Sequence, residues 1–246
     1  MKKRTWCAFI LLALLAATIA APARAHAGVS LGLSSWYAWW DTSPDYGFET
    51  DPEPLLGPVL GVDFAERWSL TSVLLVGTYH AKSDTNPEYI YRRYDSDSAL
   101  NYSLNRYFKV FAGFKYMRYD TTCDQVDLDE KQISYGPGIG AGFTLPLSDS
   151  LFAIANVSAM YLFGLQRGEY TDYTEAGFNT ALGLAYYITP IATTITAGVR
   201  YQVFETRSVD EDQTHHFYGV TLSGGWHFST GTADGDWSMC SDRAHA

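Results

Sequence analysis

Histidines and carboxylates near residue 212 are the first side chains in the sequence that could do chemistry. His215 and His216 follow Asp212, and a carboxylate beside a histidine can serve proton transfer in hydrolysis. Such catalysis also needs a nucleophile and an oriented base, and we find no convincing set of this kind. We therefore predict no catalytic residue, with a rim protease or a lipid-modifying enzyme kept as a minor alternative.

Two acidic segments could bind cations. Divalent cations could bridge carboxylates at this density to lipopolysaccharide phosphates, or the carboxylates could attract cations to the mouth of a pore. A solvated, self-repelling surface explains the same composition. The spacing lacks the glycine turn of an EF-hand loop, so we predict no metal site and no cofactor. The acids are Asp41, Asp45, Glu49, Asp51 and Glu53 in one segment, and Asp124, Asp127, Asp129 and Glu130 in the other.

Charge and cysteine content exclude several classes of protein. The chain has 246 residues and a formal net charge of −10, which argues against a nucleic-acid partner because such proteins present a basic face. Three cysteines are too few for a disulfide-stapled scaffold or a four-ligand zinc site.

The N-terminal segment has the pattern of an export signal. Three bases at residues 2–4 precede an apolar stretch over residues 6–21, and Ala25 ends a small-x-small sequence typical of signal-peptidase sites. We predict a signal peptide over residues 1–25, cleaved after Ala25 or two residues later. This segment holds four of the 17 bases and none of the 27 acids, so the exported chain carries a net charge of −14.

Apolar and polar residues alternate with a period of two through the rest of the chain. In residues 132–145, for example, Ile133, Tyr135 and Ile139 share one face and glycines occupy the other. Exported chains with long alternating strands and no spanning helix cross membranes as closed barrels. The pattern predicts an all-β, antiparallel, up-and-down transmembrane barrel of about ten strands, although eight or twelve remain compatible. The predicted segments are 28–40, 56–64, 68–81, 93–104, 107–119, 132–145, 150–165, 174–188, 192–205 and 214–228.

The connections between these segments are alternately short and long. Short periplasmic turns and long outer loops are the usual anatomy of a bacterial barrel, so an even strand number follows. We predict one barrel domain over residues 26–228, followed by a flexible periplasmic tail over residues 229–246.

Together these features resemble a small Gram-negative outer-membrane β-barrel. The last predicted strand ends in Trp226-His227-Phe228, which is similar to the signal that the barrel-assembly machinery reads. The resemblance implies an integral outer-membrane location, contact with outer-membrane lipid and lipopolysaccharide, and assembly by that machinery. It names no subfamily, and the oligomeric state stays open.

Charged residues share the inward side of the predicted strands. Because Asn105 and Arg106 close a hairpin, Asp97 should lie opposite Lys115, about 5 Å away. This pair is interpreted either as a structural salt bridge that closes the lumen or as a gate in a narrow pore. The lumen ion-pair candidates are Asp63, Asp97, Lys109, Lys115, Glu175 and Arg200.

Aromatic residues cluster where the predicted strands end. Amphipathic rings at headgroup depth form girdles around membrane barrels, and a stacking platform for a ligand is the alternative. The predicted girdle contains Trp36, Trp39, Trp40, Tyr116, Tyr119, Trp226 and Phe228.

Ten strands lie just above the size at which side chains fill a barrel interior. We therefore predict a structural or surface role, or a narrow passive pore for small solutes or ions. A loop-mediated adhesin or ligand binder is the alternative.

Overall fold

The computed structural model describes residues 28–43, 49–82, 88–123, 128–167, 171–207 and 212–229. Ten long antiparallel strands and one two-residue strand form a single sheet that closes on itself, which confirms the predicted fold class and strand number. The strands are β1 (Gly28–Ser43), β2 (Glu49–Thr50), β3 (Glu53–Ala65), β4 (Trp68–Lys82), β5 (Tyr89–Ser103), β6 (Phe108–Cys123), β7 (Leu128–Pro146), β8 (Leu151–Arg167), β9 (Thr171–Ile188), β10 (Thr193–Arg207) and β11 (Asp212–Ser229).

Closure of the barrel joins the first long strand to the last. β1 pairs with β11 along its whole length, from Gly28 opposite Ser229 to Ser43 opposite Thr214. Every other long strand pairs with its neighbours in the chain, and β2 pairs only with β4. A closed sheet of this kind leaves no long edge unpaired, which is what a bilayer interior demands of the backbone.

The period of two places apolar side chains on the outer wall. In β7, Tyr135, Ile139 and Leu145 are 48%, 70% and 40% exposed, whereas Ser134 and Gly136 on the opposite parity are buried inside. Large aliphatic and aromatic side chains are exposed on the other long strands as well. This outer wall has the composition of a lipid-facing surface.

The two ends of the barrel are different. One end carries the tight connections at residues 66–67, 104–107, 147–150 and 189–192, and short turns face the periplasm in bacterial barrels. The connection at Thr189–Ile191 is a 3-10 turn that ends at Ala192, whose φ is 45°. We call this the periplasmic end and the opposite one the outer end.

Within the described ranges, no helix is long and apolar enough to cross a membrane.

The strands are longer than predicted, mainly at their outer ends. β7 begins four residues before its predicted start and β1 continues three residues past its predicted end, because hairpin hydrogen bonding continues where the hydrophobic alternation has stopped. Ser229, predicted as the first tail residue, is the last residue of β11. The predicted signal peptide and the remainder of the predicted tail lie outside the described residues.

Candidate functional site: the barrel lumen

Large side chains fill the outer half of the lumen. Trp36, Arg93 and Phe217 are 0%, 0% and 1% exposed, although they come from three different strands. Trp40 packs its ring 5.5 Å from Tyr79 and 5.7 Å from Phe217, measured between centroids. We call this group the lumen plug; its members are Trp36, Trp40, Tyr79, Arg93, Phe204 and Phe217.

Arg93 is the charged centre of the lumen plug. Its guanidinium carbon lies 3.9 Å from the ring centroid of Phe217 and 5.6 Å from that of Trp36, distances typical of cation–π contacts. Its Nη2 donates to Asp95 and to Gln202 Oε1 at 2.8 Å. Arg93 therefore ties β5 to the far wall of the barrel, where Gln202 lies on β10.

A chain of alternating charges lies directly below the plug. Lys115 contacts buried Asp95 and lies 3.1 Å from Asp97. Arg200 Nη2 donates to the same Asp97 carboxylate at 2.8 Å. The network runs Arg93, Asp95, Lys115, Asp97, Arg200, so each carboxylate lies between two cations. Asp97 stands opposite Lys115 in the sheet, which is the register that the hairpin predicted.

Below this network the lumen opens into a cavity of about 260 Å³. Polar residues line much of its wall, including Asn101, Asn156 and Ser158, and Asp97 and Arg200 form its ceiling. Most of these residues lie in the periplasmic halves of their strands, and Arg200 is the middle residue of β10. We call this space the periplasmic cavity.

The structure brings together three of the six predicted lumen residues: Asp97, Lys115 and Arg200. Lys109 lines the periplasmic cavity but forms no ion pair among the described residues. Glu175 is buried on β9, where it accepts a hydrogen bond from Thr206 at 3.1 Å, and it forms no ion pair among the described residues. Asp63 is exposed at the periplasmic end, opposite Gly28.

The sequence prediction missed Arg93. Its parity is that of Asp95 and Asp97, two positions apart along β5, so the inward direction of the side chain was available from the sequence. The burial of Arg93 could not be predicted from the sequence, because an arginine near a strand end is usually exposed.

Three residues predicted for the aromatic girdle lie in the lumen instead. Trp36 and Trp40 share the inward parity of Gly32 and Ser34 on β1, and their rings fill the interior. Tyr119 packs against the buried cluster, with Arg93 5.6 Å from its ring centroid. The girdle assignment of these three residues was wrong because a ring at a strand end suits the interior of a narrow barrel equally well.

The other predicted girdle residues lie on the outer wall. Trp39 stacks on Tyr218 with centroids 5.9 Å apart, and Tyr116 stands opposite Tyr135. At the periplasmic end, Trp226 and Phe228 are exposed.

The histidines at the outer end contact aromatic side chains. His215 Nδ1 accepts a hydrogen bond from Trp40 Nε1 at 3.3 Å, and His216 bonds Tyr201 at 2.9 Å. In the part of the chain that the structure describes, neither histidine is paired with a carboxylate, and no cluster of three or more His, Cys, Asp or Glu side chains could hold a metal ion.

Cys123 is a free, buried residue at the outer end of β6. Cys240 lies outside the described residues, as do Asp124 and Asp127.

Comparison with known proteins was informative at the level of structure only. No family model and no curated protein matches the chain. Among solved structures, the outer membrane protease OmpT from Escherichia coli matches 85% of this chain and 98% of its own, with 10% identity and a TM-score of 0.52. The fold is that of an outer-membrane β-barrel.

Other outer-membrane barrels match with lower scores. The β domain of the Bordetella autotransporter BrkA covers 83% of this chain and 99% of its own, with 10% identity and a TM-score of 0.48. The attachment invasion locus protein Ail of Yersinia pestis covers 83% and 100%, with 13% identity and a TM-score of 0.36. At 10% identity, the likeness to OmpT supports the barrel class without choosing a role within it.

Proposed function

We propose that the protein is a sealed outer-membrane barrel with a structural or surface role, whose lumen plug blocks passive flow in the state described here. The observation that carries this proposal is the complete burial of Trp36, Arg93 and Phe217 across the outer half of the lumen. A solute larger than water has no path between rings and guanidinium groups packed at van der Waals distance.

Conductance of the refolded barrel in a planar bilayer tests the proposal. Wild type should be silent, and Trp36→Ala should produce stable openings because it removes one of the two indole rings of the plug. Trp39→Ala is the matched control, since its ring lies on the outer wall three residues away. Steady wild-type conductance equal to that of Trp36→Ala would contradict a sealed lumen.

A narrow passive pore is the second candidate, and one observation favours it. The periplasmic cavity is a space of about 260 Å³ within the lumen, and displacement of the plug together with the charge network below it would connect this space to the outer end. In that case wild type opens intermittently, and neutralisation of Asp97 or Lys115 changes both the frequency of opening and the preference for cations or anions.

Lipopolysaccharide is the proposed partner of the outer wall. Arg92 and Arg118 face outward two residues beyond Tyr94 and Tyr116, at the outer end of β5 and β6. Guanidinium groups at headgroup depth suit phosphates. The amount of lipopolysaccharide that copurifies should fall in an Arg92→Gln, Arg118→Gln double variant. Assembly through the barrel-assembly machinery, expected from the strand that ends near Phe228, is part of the same proposal.

An adhesin or ligand-binding role would reside in the outer loops rather than in the lumen. Deletion within residues 44–48 or 124–127 would abolish surface binding in that case and leave the barrel folded. Proteolysis or lipid modification has the least support. The imidazole of His215 accepts a hydrogen bond from Trp40 and stacks on the ring of Phe217, and neither contact prepares it for proton transfer. Turnover by wild type that is lost in His215→Ala would instead establish an enzymatic role.

A further inference from the structure

We propose that the periplasmic cavity is a binding site for a small oxyanion, a phosphate or a carboxylate, with Lys109 as its principal cation. The proposal goes beyond the sealed-barrel function because binding in the cavity does not need a conducting lumen.

The first argument is the charge balance of the cavity wall. Lys109, Lys115 and Arg200 line the space together with one carboxylate, Asp97. Lys115 forms ion pairs with Asp95 and Asp97, and Arg200 forms one with Asp97. Lys109 is the cation left over, since it has no carboxylate partner in the described part of the barrel.

An uncompensated ammonium in a narrow lumen favours a counter-anion. A charge that is partly withdrawn from water is stabilised by an opposite charge within a few ångströms, and the attraction is stronger there than at an open surface. The chain as a whole has a net charge of −10, so a cationic cavity is a local feature and not a reflection of overall composition.

The second argument is the space around Lys109. Lys109, Gly142 and Asn156 stand in one row across β6, β7 and β8. A Cβ atom on Gly142 would lie 2.5 Å from Lys109 Cε and 2.6 Å from Asn156 Oδ1. The glycine therefore permits the ammonium stem and the amide to share one recess.

The third argument is the supply of neutral donors around the cavity. Asn179 accepts from Arg200 Nε at 2.9 Å through its Oδ1, which leaves its amide N–H group for a ligand, and Asn156 and Ser158 also line the space. Oxyanions are bound by a cation together with several such donors. The cavity, at about 260 Å³, has room for an ion of this size with water.

Calorimetric titration of the refolded barrel with inorganic phosphate, at constant ionic strength, tests the site. Lys109→Gln should weaken phosphate binding roughly tenfold or more, since a hydrogen bond to a charged group contributes about 1.5–3 kcal/mol. Arg106→Gln is the matched control: it removes one positive charge three residues away, in the periplasmic turn outside the cavity. Folding of each variant is checked by its heat-modifiable migration on a denaturing gel.

The outcomes separate this proposal from the sealed-barrel function. Phosphate binding that falls in Lys109→Gln and is unchanged in Arg106→Gln supports the site whether or not the barrel conducts. Absence of binding by wild type, equal binding by wild type and Lys109→Gln, or equal losses in both variants would each overturn it. Asp97→Asn offers a second variant, because removal of the one carboxylate that the described residues contribute to the wall should strengthen phosphate binding.

Discussion

The outer and periplasmic halves of the lumen differ sharply although the same strands form both. On β1, the inward side chains near the periplasmic end are Ser30, Gly32 and Ser34, and those near the outer end are Trp36, Ala38 and Trp40. On β11 the inward series changes from Gly225 and Ser223 to Phe217 and His215 in the same direction.

The difference shows that side-chain volume, rather than strand number, determines whether a lumen of this width is open. Ten strands enclose a space that large side chains fill and small ones leave to water. Bulky inward residues at the outer end form the plug, whereas glycines, serines and asparagines at the periplasmic end leave a cavity. Each half therefore tolerates different substitutions.

The largest expected effect is at the charged centre of the plug. Arg93→Met should lower the free energy of unfolding by about 3–5 kcal/mol, the usual cost of removing one partner of a buried ion pair. Arg118→Met is the comparison, because the Arg118–Asp120 pair is partly exposed and such pairs contribute about 0–1 kcal/mol. Urea unfolding in lipid vesicles measures both.

A double variant checks the cause of that loss. Asp95→Asn added to Arg93→Met should recover part of the stability. In the single variant the buried Asp95 carboxylate has lost one of its two cationic partners, and the uncharged amide does not need that partner. A double loss equal to the sum of the single losses would mean that Arg93 acts through packing on Phe217 instead of through Asp95.

Two glycines give the next comparison. A Cβ atom on Gly177, in the outer half, would lie 2.6 Å from Met160 Cγ and from Phe204 Cε1, whereas one on Gly225, in the periplasmic half, meets nothing closer than 3.9 Å. Gly177→Ala should therefore cost about 1–3 kcal/mol by overpacking, and Gly225→Ala should stay within about 0.5 kcal/mol. Equal costs in the same unfolding assay would contradict the difference in packing between these two positions.

The smallest expected effect concerns two hydrogen bonds. Tyr173 and Ser134 share a bond of 2.7 Å between hydroxyls in the outer half, so Tyr173→Phe should cost about 1 kcal/mol because this bond is lost. Thr71 accepts a bond of 3.3 Å from Asn101 beside the periplasmic cavity. Water can replace it there, so Thr71→Val should cost less than Tyr173→Phe. A larger loss for Thr71→Val would mean that the cavity is dry.

The fold was predictable because one physical signal repeats in every strand. Alternation between lipid and lumen located ten strands within a few residues, and the tight turn at Asn105 fixed Asp97 opposite Lys115. Register follows from a two-residue period because a slip of one residue would turn a whole face over.

The contents of the lumen were only partly predictable. Parity gives the direction in which the side chains of Trp36 and Arg93 point. It does not give the contact between the indole and the guanidinium, because that contact joins strands far apart in sequence. Trp40 and Tyr119 were assigned to the wrong side because an aromatic ring near a strand end has two suitable environments. The short strand β2 has too few residues to show any alternation.

The hydrogen bond from Arg93 to Gln202 joins residues that are 109 positions apart in the sequence. Trp36, on a third strand, packs against the same guanidinium group. Because an open sheet holds these strands far apart, the plug can form only after β1 has met β11. Interactions of such high contact order form late in folding. The indole of Trp36 should therefore report the moment of barrel closure, and a chain stalled before that step would expose a cationic, aromatic interior to premature association.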